Sequence, residues 1–122
     1  MWAGIFALAI SGCATSPPRS DAEAVRERAT TRWNALVAGD LKTAYDMVSP
    51  AGRTVVTFEG FRNSVKQGFW KSAQVKDVKC ESAELCEVGL DIEYEFMGRR
   101  TRTALQEKWV KQDAQWWFLL QQ

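Results

Sequence analysis

Hydrophobic and acidic positions alternate most clearly in residues 86–96, which read CEVGLDIEYEF. Every even position in this stretch is apolar, and every odd position is acidic or glycine. Because successive side chains point to opposite faces of a strand, the stretch predicts a β-strand with one apolar and one acidic face. Such a strand packs one face on a core and leaves the other in water.

Before Gly68 the apolar positions recur with the period of a helix, and three helices are predicted. The first begins at the N-cap Ser20, with Glu23 completing a capping box, and ends at Gly39. The second is capped by Asp40 and broken by the turn-forming residues 49–52 (SPAG). The third is short and capped by Thr57. The predicted inward positions are Ala22, Val25, Ala29, Trp33, Leu36 and Val37, then Leu41, Ala44, Tyr45 and Val48, then Phe58, Phe61 and Val65.

After Gly68 the period changes to two, and four strands are predicted over residues 69–80, 86–96, 101–111 and 115–120. The phase of the first strand slips between Val75 and Val78, which predicts a bulge near Lys76 and Asp77. Helices followed by a four-stranded antiparallel meander form an α+β pattern.

Two groups of residues resemble the nuclear transport factor 2-like superfamily. The run WNALVAGD at 33–40, followed by AY at 44–45 and SP at 49–50, is similar to its helical start. The runs EKWV at 107–110 and QWWF at 115–118 are similar to its last two strands. The resemblance implies a curved sheet wrapped over a long helix to form a cone. It also implies a range of activities, since members include isomerases, cyclases, dehydratases and domains without activity.

The first twelve residues are uncharged and nearly all apolar, and they end in ISGC at 10–13. This ending resembles the lipobox of bacterial lipoproteins, although no Lys or Arg precedes the apolar run. The resemblance implies a signal peptide at 1–12, acylation of Cys13, and placement at the outer membrane because Ala14 is not Asp. A polar tether then covers 13–19, and the folded domain covers 20–122. The alternative is an accidental cysteine in a truncated membrane helix.

Composition excludes several kinds of chemistry. The 122-residue chain is 46% hydrophobic, carries a net charge of +1 and has no histidine. A nearly neutral chain gives no electrostatic reason to expect nucleic acid as a partner. The lack of histidine removes the most common general base and zinc ligand, so neither a metal site nor a cofactor is predicted.

Cys80 and Cys86 are expected to pair. They lie at the two ends of a hairpin loop and face each other if Val78 faces Val88. In an exported protein such a pair is typical of a disulfide, which contributes about 2 kcal/mol for so short a loop. A metal site is the rival interpretation, but two thiolates alone are a poor set of ligands.

Glu107 is the one charged residue that the alternation places on the apolar face. A symmetric turn at Gly98 and Arg99 would set it opposite Leu90, and a buried carboxylate is a candidate general acid or base. Tyr45 and Tyr94 are also predicted to face inward and are candidates to polarise a ligand carbonyl. The alternative for Glu107 is a structural acid bound to a helix end, a tyrosine hydroxyl or a backbone amide near the rim of the cone. The alternative for each tyrosine is a core ring whose hydroxyl is hydrogen-bonded.

Pairing of the last two strands across Asp113 and Ala114 is predicted to set Trp109 opposite Phe118 and Val110 opposite Trp117. The same alternation sends Val110, Trp117 and Leu119 to the outer face, where they form a predicted interaction patch. A homodimer or a partner protein of the cell envelope is expected to bind there, unless the chain itself covers the patch. Arg99, Arg100 and Arg102 make a basic hairpin tip, which either contacts anionic lipid head groups or is a solvated turn. The sequence therefore favours a lipid-anchored, non-catalytic binding domain, with a small isomerase or cyclase using Glu107 as the alternative.

Overall fold

The computed structural model describes Gly4 and residues 19–120. The predicted signal peptide, apart from Gly4, and Cys13 lie outside the described residues. Four helices come first: α1 (Asp21–Ala38), α2 (Leu41–Asp46), α3 (Pro50–Val55) and α4 (Phe58–Ser64). Four strands follow: β1 (Trp70–Ser82), β2 (Leu85–Phe96), β3 (Arg99–Gln112) and β4 (Gln115–Leu119). Within the described part of the chain, no helix is both long and apolar enough to cross a bilayer.

The predicted helix caps are confirmed. Ser20 Oγ accepts a hydrogen bond from the Glu23 amide at 3.2 Å, and Asp40 and Thr57 accept equivalent bonds in α2 and α4. The second helix ends before residues 49–52, as predicted, but these residues begin a fourth helix, α3, which the sequence did not predict. Ser49 Oγ accepts from the Gly52 amide, and Pro50 occupies the first turn, where its missing N–H has no intrahelical role.

The four strands form one antiparallel sheet in the order β1-β2-β3-β4. Val78 pairs with Val88, and a register shift between Val75 and Asp77 confirms the predicted bulge. The β3–β4 pairing is also confirmed, with Trp109 opposite Phe118.

The predicted β2–β3 register is wrong by two residues. Val88, not Leu90, lies opposite Glu107, because the hairpin turns over only Met97 and Gly98. Both turn residues have positive φ, 52° and 75°, as in the two-residue turns whose twist matches that of paired strands. A shift of two keeps the alternation of faces, so Glu107 still points inward.

Helix α1 covers the inner face of the sheet and closes the core. Helix α1 buries Val25, Ala29, Trp33 and Leu36 in one core cluster with Trp109 and with the first even-numbered residues of β2, which are Cys86, Val88, Leu90 and Ile92. The segment after α2 protects the free edge of β4, where the Ser49 amide donates to the Phe118 carbonyl at 2.9 Å. An edge strand paired in this way offers fewer free backbone groups to another chain.

Candidate functional site

Glu107 lies in the core, where three side chains donate hydrogen bonds to its carboxylate. The side chain is 4% exposed. Arg32 Nη1 donates to Oε2 at 3.2 Å, and Trp109 Nε1 donates to Oε1 at 3.1 Å. Trp33 Nε1 is shared between the two oxygens at 3.3 and 3.2 Å. We call these four residues the Glu107 cluster.

The cluster joins the first helix to the third strand through a buried ion pair. Arg32 is also buried, and its guanidinium carbon lies 3.6 Å from the centre of the Phe118 ring. Burial lowers the pKa of Arg32 from its ordinary value, while the nearby Glu107 charge acts in the opposite direction. Arginine is nevertheless protonated near neutral pH, so the pair holds opposite charges inside the core.

The arrangement supports a structural role for Glu107 better than a catalytic one. A general base needs a lone pair within reach of a substrate proton. Here both carboxylate oxygens already accept bonds from buried side chains, and those donors would have to move before a ligand could be reached. Of the two roles stated for Glu107, the structural one matches these contacts, although its partners are a guanidinium and two indoles.

The two tyrosines do not join Glu107. Tyr45 is buried, and its hydroxyl donates to the Val56 carbonyl at 2.7 Å, which ties α2 to the end of α3. Tyr94 is half-buried and stacks on Phe69 with 5.1 Å between ring centres. It lies six residues along β2 from the partner of Glu107, a separation of about 20 Å. The three candidate groups therefore do not converge on one substrate position.

Four pockets of the described domain lie away from these groups. The largest, about 480 Å³, is a groove on the polar outer face of β1, β2 and β3, and the Lys76–Asp91 ion pair borders it. A second, about 180 Å³, lies between α1 and β1 and is lined in part by Trp33 and Leu90. Neither these two pockets nor two further ones, of about 350 and 220 Å³, are lined by Glu107, Tyr45 or Tyr94.

Cys80 and Cys86 form a disulfide, as the sequence predicted. The two residues are directly opposite each other in the β1–β2 ladder, and Cys86 is fully buried. The bond closes the hairpin loop and leaves both sulfurs unavailable as ligands. Within residues 19–120, no group of three or more Cys, Asp or Glu side chains is placed to hold a metal ion.

The predicted interaction patch is half-buried in the folded chain. Val110 and Trp117 are paired as predicted, and Leu119 follows on the same strand. The guanidinium carbons of Arg28 and Arg53 lie 5.3 and 5.4 Å from the centre of the Trp117 ring. Arg28 and Arg53 therefore cover part of the patch. A cation close to an aromatic ring is attracted to it, so these contacts stabilise the folded chain.

Comparisons with solved structures establish the fold. A SEC-C motif containing protein from Psychrobacter arcticus superposes with a TM-score of 0.67 at 18% identity, over 80% of this chain and 59% of its own. A Campylobacter jejuni protein provisionally described as an NTF2-like transpeptidase matches with a TM-score of 0.56 at 15% identity, over 80% of this chain and 98% of its own. The fold is the nuclear transport factor 2-like fold.

An NTF2-like protein of unknown function from Shewanella oneidensis agrees, with a TM-score of 0.55 at 11% identity, over 80% of this chain and 93% of its own. No protein-family model and no curated protein matches the chain. The present chain spans less than two thirds of the Psychrobacter protein. At these identities the similarity concerns the fold, and this fold carries many unrelated functions.

Sequence reasoning did not find the partners of Glu107. Arg32 was not recognised as a core residue, and no hydrogen bond from Trp33 or Trp109 to Glu107 was predicted. A signal was present, since Arg32 follows the inward Val25 by seven residues and Ala29 by three, which places it on the same face of α1. An arginine on an apolar stripe, together with an acid on the apolar face of a strand, indicates a buried ion pair.

Proposed function

We propose that this chain is a lipid-anchored protein of the bacterial cell envelope that acts as a non-catalytic binding or interaction module. The proposal of a non-catalytic role rests on the Glu107 cluster. Glu107 is the one inward carboxylate of the sheet, and buried side chains already donate hydrogen bonds to both of its oxygens. The alternative, a small isomerase or cyclase, requires Glu107 and a tyrosine to converge on an open cavity. In the structure neither Tyr45 nor Tyr94 lies beside Glu107.

The anchor is proposed on the ISGC motif, with Cys13 as the acylated residue and the inner leaflet of the outer membrane as the location. The polar residues after Cys13 would tether the domain to the membrane surface. More than one acyl chain is needed for stable anchoring, and lipoprotein processing of Cys13 would supply it.

Replacing Cys13 with Ser tests the anchor. We expect Cys13→Ser to abolish metabolic labelling with a radioactive fatty acid and to move the protein from the membrane to the soluble fraction. Ser11→Ala is the matched control, because it changes a neighbouring residue and leaves the acceptor thiol. Continued labelling of the Cys13→Ser protein would refute the lipoprotein assignment.

A protein partner, either a second copy or another envelope protein, is proposed to bind at Val110, Trp117 and Leu119. Half-buried apolar side chains on a sheet face can become fully buried in an interface, and tryptophan is common among the residues that dominate binding. We expect Trp117→Glu to keep the circular dichroism of the fold and to weaken association measured by sedimentation. An unchanged sedimentation profile in a folded variant would exclude the patch as an interface.

A further inference from the structure

The β2–β3 hairpin ends in two large apolar side chains that face solvent. Phe96 is 55% exposed and Met97 is 87% exposed. Every residue from 96 to 104 is exposed, so the turn of the hairpin and the first half of β3 lie outside the core. We call residues 96–100 the hairpin tip.

Met97 neither packs in the core nor suits the turn that it occupies. Its φ is 52°, in the left-handed region that Asn, Asp and Gly adopt more easily than a residue with a long side chain. In the β3–β4 hairpin the first turn residue, with φ 54°, is Asp113. A residue that suits its own turn poorly and buries nothing points to a role outside the folded chain.

The surroundings of the tip are basic. A groove of about 350 Å³ beside it is lined by Phe96 and Met97 together with Lys66 and Lys71. Arg99 pairs with Phe96 across the turn. Lys71 is 3.7 Å from Glu95, but among the described residues no carboxylate lies within 4.0 Å of Lys66 or Arg99. The apolar tip is therefore accompanied by at least two cations without an acidic partner.

We propose that the hairpin tip binds the surface of a bilayer that contains anionic phospholipids. Phe96 and Met97 enter the headgroup region, and Lys66 and Arg99 contact lipid phosphates. Basic residues beside a surface of negative potential are attracted to it, and adjacent apolar side chains gain by leaving water. A protein partner fits less well, because a two-residue turn, unlike the sheet face that carries Val110 and Trp117, offers little adjoining surface toward the roughly 800 Å² that each side of a stable interface buries.

This contact lies far from the proposed lipid anchor. Lys111 Nζ lies 3.4 Å from Asp21 at the start of α1, so the tether joins the domain near that end of β3. Arg99 is twelve residues away at the other end of the strand, or about 40 Å. A domain held at both ends would lie lengthwise along the bilayer. Binding by the tip does not depend on acylation of Cys13, so the two proposals fail separately.

A fluorescent label at the tip tests the proposal directly. In the full chain carrying Cys13→Ser, the variant Met97→Cys is labelled with an environment-sensitive nitrobenzoxadiazole dye without reductant, which leaves the Cys80–Cys86 disulfide intact. Asp113→Cys in the same background is the matched control, because it has the same turn position and nearly the same φ. Vesicles are either pure phosphatidylcholine or one part phosphatidylglycerol to three parts phosphatidylethanolamine.

We expect a blue shift and brighter emission from position 97 with the anionic vesicles, and neither with phosphatidylcholine nor from position 113. Adding Arg99→Glu should reduce the apparent affinity of the labelled tip about tenfold or more, since one attraction becomes a repulsion. Lys79→Glu changes the net charge equally at the opposite end of β1 and should have a much smaller effect. An absent shift at position 97, or an equal shift with phosphatidylcholine or at position 113, would overturn the proposal.

If circular dichroism shows that the Met97→Cys protein does not fold, co-sedimentation with the same vesicles replaces the fluorescence measurement. The comparison is then between Cys13→Ser alone and Cys13→Ser with Arg99→Glu. Both retain residues 1–12, so any binding by that segment is common to both proteins. A loss of co-sedimentation confined to the Arg99→Glu protein supports the tip contact, and equal co-sedimentation excludes it.

Discussion

Replacing Glu107 with Gln should lower the free energy of unfolding by about 3–5 kcal/mol, one of the two largest effects expected for this chain. The substitution is nearly isosteric and keeps an oxygen to accept the indole hydrogen bonds. What it removes is the charge opposite Arg32, and a buried guanidinium without a counter-ion is strongly destabilising. Denaturant unfolding followed by far-ultraviolet circular dichroism measures the change.

Asp91→Asn is the control for that measurement. Asp91 pairs with Lys76 at 3.4 Å, but both side chains are about half exposed. A surface ion pair contributes at most about 1 kcal/mol, so the two carboxylate-to-amide changes should differ several-fold in their effects. A loss below about 1 kcal/mol for Glu107→Gln would mean that this carboxylate is solvated and available to a ligand.

Replacing Trp109 with Ala should destabilise the domain by about 3–5 kcal/mol, through a cavity beneath the sheet. Trp109 is fully buried, packs against Phe118 with 6.0 Å between ring centres, and donates to Glu107. Denaturant unfolding again measures the loss, with the midpoint and the slope fitted separately so that a change in the unfolded state is recognised.

Trp109→Phe separates the two contributions of this residue. Phenylalanine retains most of the apolar volume and lacks the indole N–H, so the expected loss is smaller, about 1–3 kcal/mol for one hydrogen bond to a charged group. A Trp109→Phe protein as stable as the original would show that the bond to Glu107 contributes nothing to the fold. Equal losses for the Phe and Ala variants would show that packing contributes nothing.

Much of the fold could be predicted because its signals are local. The alternation over residues 86–96, the Ser20 and Asp40 caps and the slipped phase after Val75 each depend on a few neighbouring residues. The β2–β3 register could not be fixed in the same way. Two-residue and four-residue turns both preserve the alternation of faces, so the apolar pattern cannot choose between them.

The Glu107 cluster and the exposed tip depend on distant parts of the chain. Glu107 could be recognised as inward, but its partner Arg32 is 75 positions away and no local period links them. Phe96 lies at an even-numbered position of β2, like the buried residues of that strand, and yet it faces solvent. The reason is that the sheet is longer than helix α1, which covers it. Helix α1, with 18 residues, spans about 27 Å, whereas β3, with 14, spans about 46 Å.

The central claim is that Glu107 serves to neutralise Arg32 within the core, and the stability of the double variant Arg32→Met, Glu107→Gln tests it most directly. Methionine fills apolar space beside Phe118 and carries no charge, so no buried ion is left without a partner. Each single variant should lose about 3–5 kcal/mol, and the double variant should lose less than either, with a coupling of at least about 3 kcal/mol. Losses that add to within about 0.5 kcal/mol would contradict the claim, because the two side chains would then act independently.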